Sequence, residues 1–143
     1  MRTGFTLVEL CLALVVAAIV LAIAVPGTAR LRDGVAVDQA ARRIVAAHRV
    51  ARFTAIMRSR RTLLVVRADT LVVRAVTPSD TLSVWGAAGP AGDGVALEGP
   101  AYPLGFAPTG VPLGVANATY RLTRGTGERR VVISRLGRTR ILR

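Results

Sequence analysis

The sequence has no lysine, one cysteine, one histidine and one tryptophan. A lone cysteine, Cys11, cannot form an intrachain disulfide. One cysteine and one histidine cannot build a Cys/His metal site, so His48 reads as a helix-packing residue rather than a ligand. There is no Ser/His/Asp set for nucleophilic catalysis and no glycine loop of the phosphate-cradling kind. GPAGDG offers a single aspartate, Asp93, where a calcium loop needs several oxygen ligands. No catalytic residue, metal or cofactor is therefore expected, and the chain does not read as an enzyme. Acids are few as well: eight against twenty cations, all arginine, for a formal charge of +12. That excess favours anionic partners such as phospholipid or nucleic acid.

What the sequence does have is one long apolar run. Phe5 to Val25 is almost uninterrupted. At about 1.5 Å per residue, as a helix, it spans roughly the 30 Å core of a bilayer. Helix is the one form in which an isolated segment satisfies its own backbone there. Pro26-Gly27 then marks a full stop or a kink. Glu9 is anomalous, because a carboxylate deep in a bilayer costs about 2.5–3.5 kcal/mol. Three readings compete. A cleaved secretory signal is suggested by Arg2 and by Ala22-Ile23-Ala24, but its apolar region would be too long and would carry an acid. A plain anchor leaves Glu9 without a role. A cut after Gly4 would give Phe5 a new amino group four residues from Glu9. In a filament of such helices, the carboxylate could then pair with the terminal ammonium of a neighbour.

After the break, Val37, Ala40, Ala41, Ile44, Ala47, His48, Ala51 and Ala55 share one helical face. Arg42, Arg49 and Arg60 are expected opposite, facing solvent or neighbouring subunits. The period changes near Arg61. TLLVVRA (62–68) and TLVVRAV (70–76) read as a hairpin turning at Ala68-Asp69, and TLSVW (81–85) as a third strand. Residues 86–118 are rich in Gly and Pro and read mostly as loop, with short strands near Val95–Glu98 and Leu104–Ala107. ATYRLTR (118–124) and ERRVVISR (128–135) pair around Gly125-Thr126-Gly127. That pairing puts Tyr120, Leu122, Val131 and Ile133 inside, and Arg121 and Arg130 outside. RTRIL (138–142) is a last strand after a turn at Leu136-Gly137. The fold class is α+β: a long N-terminal helix, half membrane segment and half amphipathic, packed against antiparallel sheet. Its parts are a leader (1–4), a membrane and assembly helix (5–26), an amphipathic helix (27–60) and a β-rich domain (61–143).

GFTLVEL resembles the class III signal of type IV prepilins and type II secretion pseudopilins. The resemblance implies cleavage between Gly4 and Phe5 by a prepilin peptidase and N-methylation of Phe5. It implies that Glu9 acts in assembly with other pilins, and that the helix bends or melts at Pro26. It also implies a single-pass protein of the bacterial inner membrane with its C-terminal domain in the periplasm. Arginine is denser after the apolar run (Arg30, Arg32, Arg42, Arg43) than before it, which by the positive-inside rule alone would favour the opposite orientation. The helix-then-strand layout and the ending ISRLGRTRIL resemble GspH/FimT-type minor pseudopilins. Such subunits help to initiate or cap a secretion pseudopilus or a type IV pilus. Residues 121–143 carry eight arginines against Glu128 alone. In FimT-like members a G-R-x-R ending is associated with DNA uptake. By that resemblance Gly137, Arg138 and Arg140, with Arg143, Arg121 and Arg130 beside them, form an alternative DNA-binding set. The plainer reading makes Gly137 a turn residue and the arginines solvated charge.

Overall fold

A computed structural model describes residues 6–114 and 117–143, with the backbone alone at 23–26. The chain divides into two compact units, one ending at Arg32 and the other running from Asp33 to Arg143. One helix, α1, covers Leu7–Met57. It continues through Pro26-Gly27, so of the two alternatives there, a full stop or a kink, the full stop does not occur. The fixed φ of proline is itself helical, and one missing hydrogen bond does not end a helix that is supported on both sides.

In the first unit, Leu7, Leu12, Leu14, Ile19 and Leu21 are all more than half exposed. Within the second unit the picture reverses. Val37, Ala40, Ala41, Ile44, Ala47, His48, Ala51 and Ala55 are buried, the face expected from the three- and four-residue spacing. Five of these eight are alanine, so sheet can approach the helix backbone closely. Thr62 shows how closely: its buried hydroxyl donates to the Ala51 carbonyl at 2.9 Å. The helix ends at Met57, which leaves Arg60 beyond it rather than on its outer face.

Two antiparallel sheets cover that face. The first has five strands in the order β3-β2-β1-β5-β6: Thr81–Ala88, Thr70–Val76, Thr62–Val66, Leu104–Phe106 and Pro112–Leu113. Its hairpin β1–β2 pairs Leu64 with Val73, and the inward positions Leu64, Val66, Leu71, Val73 and Ala75 are buried. Strand β3 runs three residues past Trp85, because Gly86–Ala88 continue to pair with Thr70–Val72. The second sheet has the order β4-β7-β8-β9: Ala96–Glu98, Ala118–Arg124, Gly127–Ile133 and Thr139–Leu142. Tyr120 pairs with Val131 and Arg121 with Arg130, which gives the inner and outer faces read from the sequence; Gly127, expected in the turn, opens β8. A 3-10 turn at Pro90–Asp93 and the two-residue strand β6 lie in the stretch expected to be mostly loop.

Ion pairs fasten α1 to the second sheet and to the 3-10 turn. Asp33 meets Arg124 at 3.1 Å, Asp38 meets Arg129 at 3.5 Å, and Arg43 meets Asp93. Gly125, at φ +50, closes the β7–β8 turn directly against Asp33; a side chain there would strike the carboxylate.

Candidate functional site

Gly4 and Phe5 lie outside the described residues, and Pro26 is among those described by backbone alone. Glu9 lies in the first turn of α1 and is exposed. Its backbone N–H donates to Thr6 Oγ1 at 3.3 Å, so Thr6 caps the helix. Thr6-Leu7-Val8-Glu9 has the spacing of a capping box, a signal present in the sequence but absent from the reading above. An acid in this turn also faces the positive end of the helix dipole. The cap and the dipole help to hold a charge that the surrounding apolar residues disfavour. Among the described residues Glu9 has no ion-pair partner.

A second arrangement is built by the Asp33–Arg143 unit. His48, Arg49 and Arg52 of α1 face Gly137, Arg138, Thr139 and Arg140 across an open cleft of about 360 Å³. The turn that carries the C-terminal side is well defined. Gly137 N–H donates to the Ser134 carbonyl at 2.8 Å, and Ser134 N–H to the Arg138 carbonyl at 2.9 Å. Gly137 is buried at φ +72, where a Cβ would press on Pro112. The expected turn role of Gly137 is therefore real, and it sets the direction in which Arg138 and Arg140 leave the chain. Arg138 precedes β9 rather than sharing a strand face with Arg140.

The six residues grouped by the G-R-x-R resemblance are not brought together. Gly137, Arg138 and Arg140 line the cleft. Arg121 instead binds Glu128 through two hydrogen bonds of 3.0 Å, and Arg130 lies 3.7 Å from the same carboxylate. That pairing holds the Glu128 carboxyl below its usual range, first through the Arg121 hydrogen bonds. Arg143 is exposed beyond β9 and lines neither wall. Arg49 and Arg52, which helical periodicity could place only on a face of α1, join the cleft because β9 runs beside that face. Among the described residues, no ion-pair partner exists for the side chains of Arg49, Arg52, Arg138 or Arg140. Four unneutralised guanidinium groups around one concavity suit an oxyanion.

His48 lies behind them. It is 2% exposed, packs edge-on to Phe106 with ring centroids 5.1 Å apart, and its Nε2 has no hydrogen-bond partner. Burial, then the charges of Arg52 and Arg49, push its pKa down to about 4. The imidazole is thus neutral at physiological pH, and the cleft's positive charge is arginine alone.

The profile of the family described as type II transport protein GspH matches residues 40–137. Two solved structures share the fold. The type IV minor pilin FimU of Pseudomonas aeruginosa superposes with a TM-score of 0.63 at 16% identity, over 75% of this chain and 88% of that one. The minor pseudopilin EpsH from the type 2 secretion system of Vibrio cholerae superposes with a TM-score of 0.59 at 15% identity, over 74% and 95%. No curated protein sequence matches. The helix-and-two-sheet layout of the chain is that of a pilin-like fold.

Proposed function

The chain belongs to the GspH family, and from that premise we propose that it is a minor pseudopilin, a structural subunit that helps to initiate or cap a type II secretion pseudopilus or a type IV pilus. One observation carries the reading. α1 is long and apolar enough to cross a membrane, its large side chains from Leu7 to Leu21 have no cover in the chain itself, and the one acid among them is Glu9. Such a helix needs lipid before assembly and other apolar helices after it. The class III signal supplies the route: prepilin peptidase cuts after Gly4, Phe5 is methylated, and Glu9 pairs with the amino group of a neighbouring subunit. Pro26 is the point at which α1 gives way when it packs into the filament. The working location is the inner membrane, with the Asp33–Arg143 unit in the periplasm. The role is mechanical rather than catalytic.

The test is assembly. Glu9→Leu should insert in the membrane at least as well as the native chain, since a charge that is costly in lipid is removed. Crosslinking to the other pilins of the same system should fall. Normal crosslinking by Glu9→Leu would refute the pairing.

A further inference from the structure

We propose that the open edge of β9, together with the arginine-lined wall of α1, is a docking site for an extended acidic segment of a neighbouring subunit, which would add a fifth strand to the second sheet. The proposal deepens the assembly reading and rests on it for the source of the segment.

Strand β9 ends the order β4-β7-β8-β9 and, among the described residues, pairs only with β8, from Ile133↔Thr139 to Arg130↔Leu142. Its other edge therefore presents unpaired backbone donors and acceptors. It is short and its one charge is the cation Arg140, so it repels another basic edge but not an acidic segment, and Ile141 and Leu142 are 37% and 45% exposed. Beside it runs a groove of about 500 Å³ lined by Arg42, Val45, Ala46, Arg49, Val50 and Ile141. Arg49 also lines the four-arginine cleft, so the two concavities adjoin. Together they follow α1 from Arg42 to Arg52, about 15 Å of helix, which is the reach of about five extended residues.

The chemistry of the walls selects the occupant. Arg49, Arg52, Arg138 and Arg140 are unneutralised, and no acid lines either concavity. Carboxylates of the incoming segment would supply what these guanidinium groups lack. The adjoining groove adds Val45, Ala46, Val50 and Ile141, which favour apolar side chains. A polypeptide strand satisfies three demands at once: edge hydrogen bonds, apolar contact and charge. A nucleic acid satisfies one. Among the described residues no Phe, Tyr or Trp lines the groove or the cleft, and His48 is 2% exposed, so bases would have only guanidinium planes to stack on.

The experiment uses the full chain in detergent at physiological salt and a fluorescent peptide of alternating glutamate and valine. A second peptide has the same sequence with alternate amides N-methylated, which keeps the charge and removes the edge hydrogen bonds. The plain peptide should bind saturably, and the methylated one at least about tenfold more weakly. Arg49→Glu with Arg140→Glu, both exposed positions, should abolish binding. Arg121→Ala with Arg130→Ala, on the outer face, should leave it unchanged. Equal affinity for the two peptides, or no saturation by about 1 mM, overturns the proposal. So does tighter binding of a short single-stranded DNA with the same dependence on Arg49 and Arg140, which would assign the cleft to nucleic acid. Crosslinking of the Arg49→Glu, Arg140→Glu chain to its partner pilins is read in parallel with that of Glu9→Leu. If only Glu9→Leu fails to crosslink, assembly stands and the β9 site falls.

Discussion

His48 shows what one buried group adds to pH dependence. Folded, its pKa lies near 4; unfolded, it returns to 6.5. The unfolded chain therefore takes up a proton below pH 6.5 that the folded chain refuses. The stability at stake is fully present above pH 6.5 and is lost as the pH falls towards 4. A shift of that size corresponds to about 3 kcal/mol, which solvent in the adjoining cleft reduces to about 2. The carboxylates act lower. Asp38, its pKa held down chiefly by the Arg42 hydrogen bond, gives up stability only below its unfolded value of 3.8. Thermal melts between pH 7 and 4.5 should thus fall steadily for the native chain and stay nearly flat for His48→Leu. Parallel curves for the two proteins would mean that the imidazole is not the group responsible.

At the scale of elements, periodicity carried most of the information. The eight residues placed on the inner face of the helix are all buried, and both long hairpins form, with Tyr120, Leu122, Val131 and Ile133 inside as expected. These signals are local: a 3.6-residue period, a two-residue period and glycine-marked turns. The parts that stayed illegible depend on distant neighbours. Nothing local announces that Pro112-Leu113 pairs with Gly105-Phe106, or that the Arg49 face of α1 lies beside β9. The cleft was half legible for the same reason. Gly137, Arg138 and Arg140 stand together in the sequence, whereas Arg49 and Arg52 reach them only through the fold. The helix-on-sheet core itself makes a prediction. A chain begun near residue 28 retains Val37–Ala55 and should be soluble and cooperatively folded. A chain begun near residue 58 uncovers Leu64, Leu71, Val73, Leu122 and Val131 together, and should aggregate. Gel filtration and circular dichroism of the two would decide it. A soluble, folded shorter chain would show that the sheets do not need α1.

For the whole molecule, the two units pose opposite problems of solvation. The Asp33–Arg143 unit closes its own core around Ile44, Phe106 and Tyr120. Among its described residues, the unit before it exposes the large apolar side chains from Leu7 to Leu21. What becomes of that run decides among the three readings of the N-terminus. A secretory signal would be cut near Ala24, and the working protein would lose the run altogether. An uncut anchor would keep Met1 and leave Glu9 idle. Cleavage after Gly4 keeps the helix and creates a cation one turn from Glu9, so two charges that are costly in lipid can neutralise each other between subunits. N-methylation of Phe5 would retain that positive charge. Protein purified from its native membrane should therefore begin at Phe5, about 0.43 kDa lighter than the precursor, with a methylated terminal amine. Intact-mass and N-terminal peptide analysis measure both features. A mature terminus at Val25 would remove the assembly helix and, with it, the filament role. An intact Met1 would leave a membrane-anchored domain whose one intramembrane acid has no partner to meet.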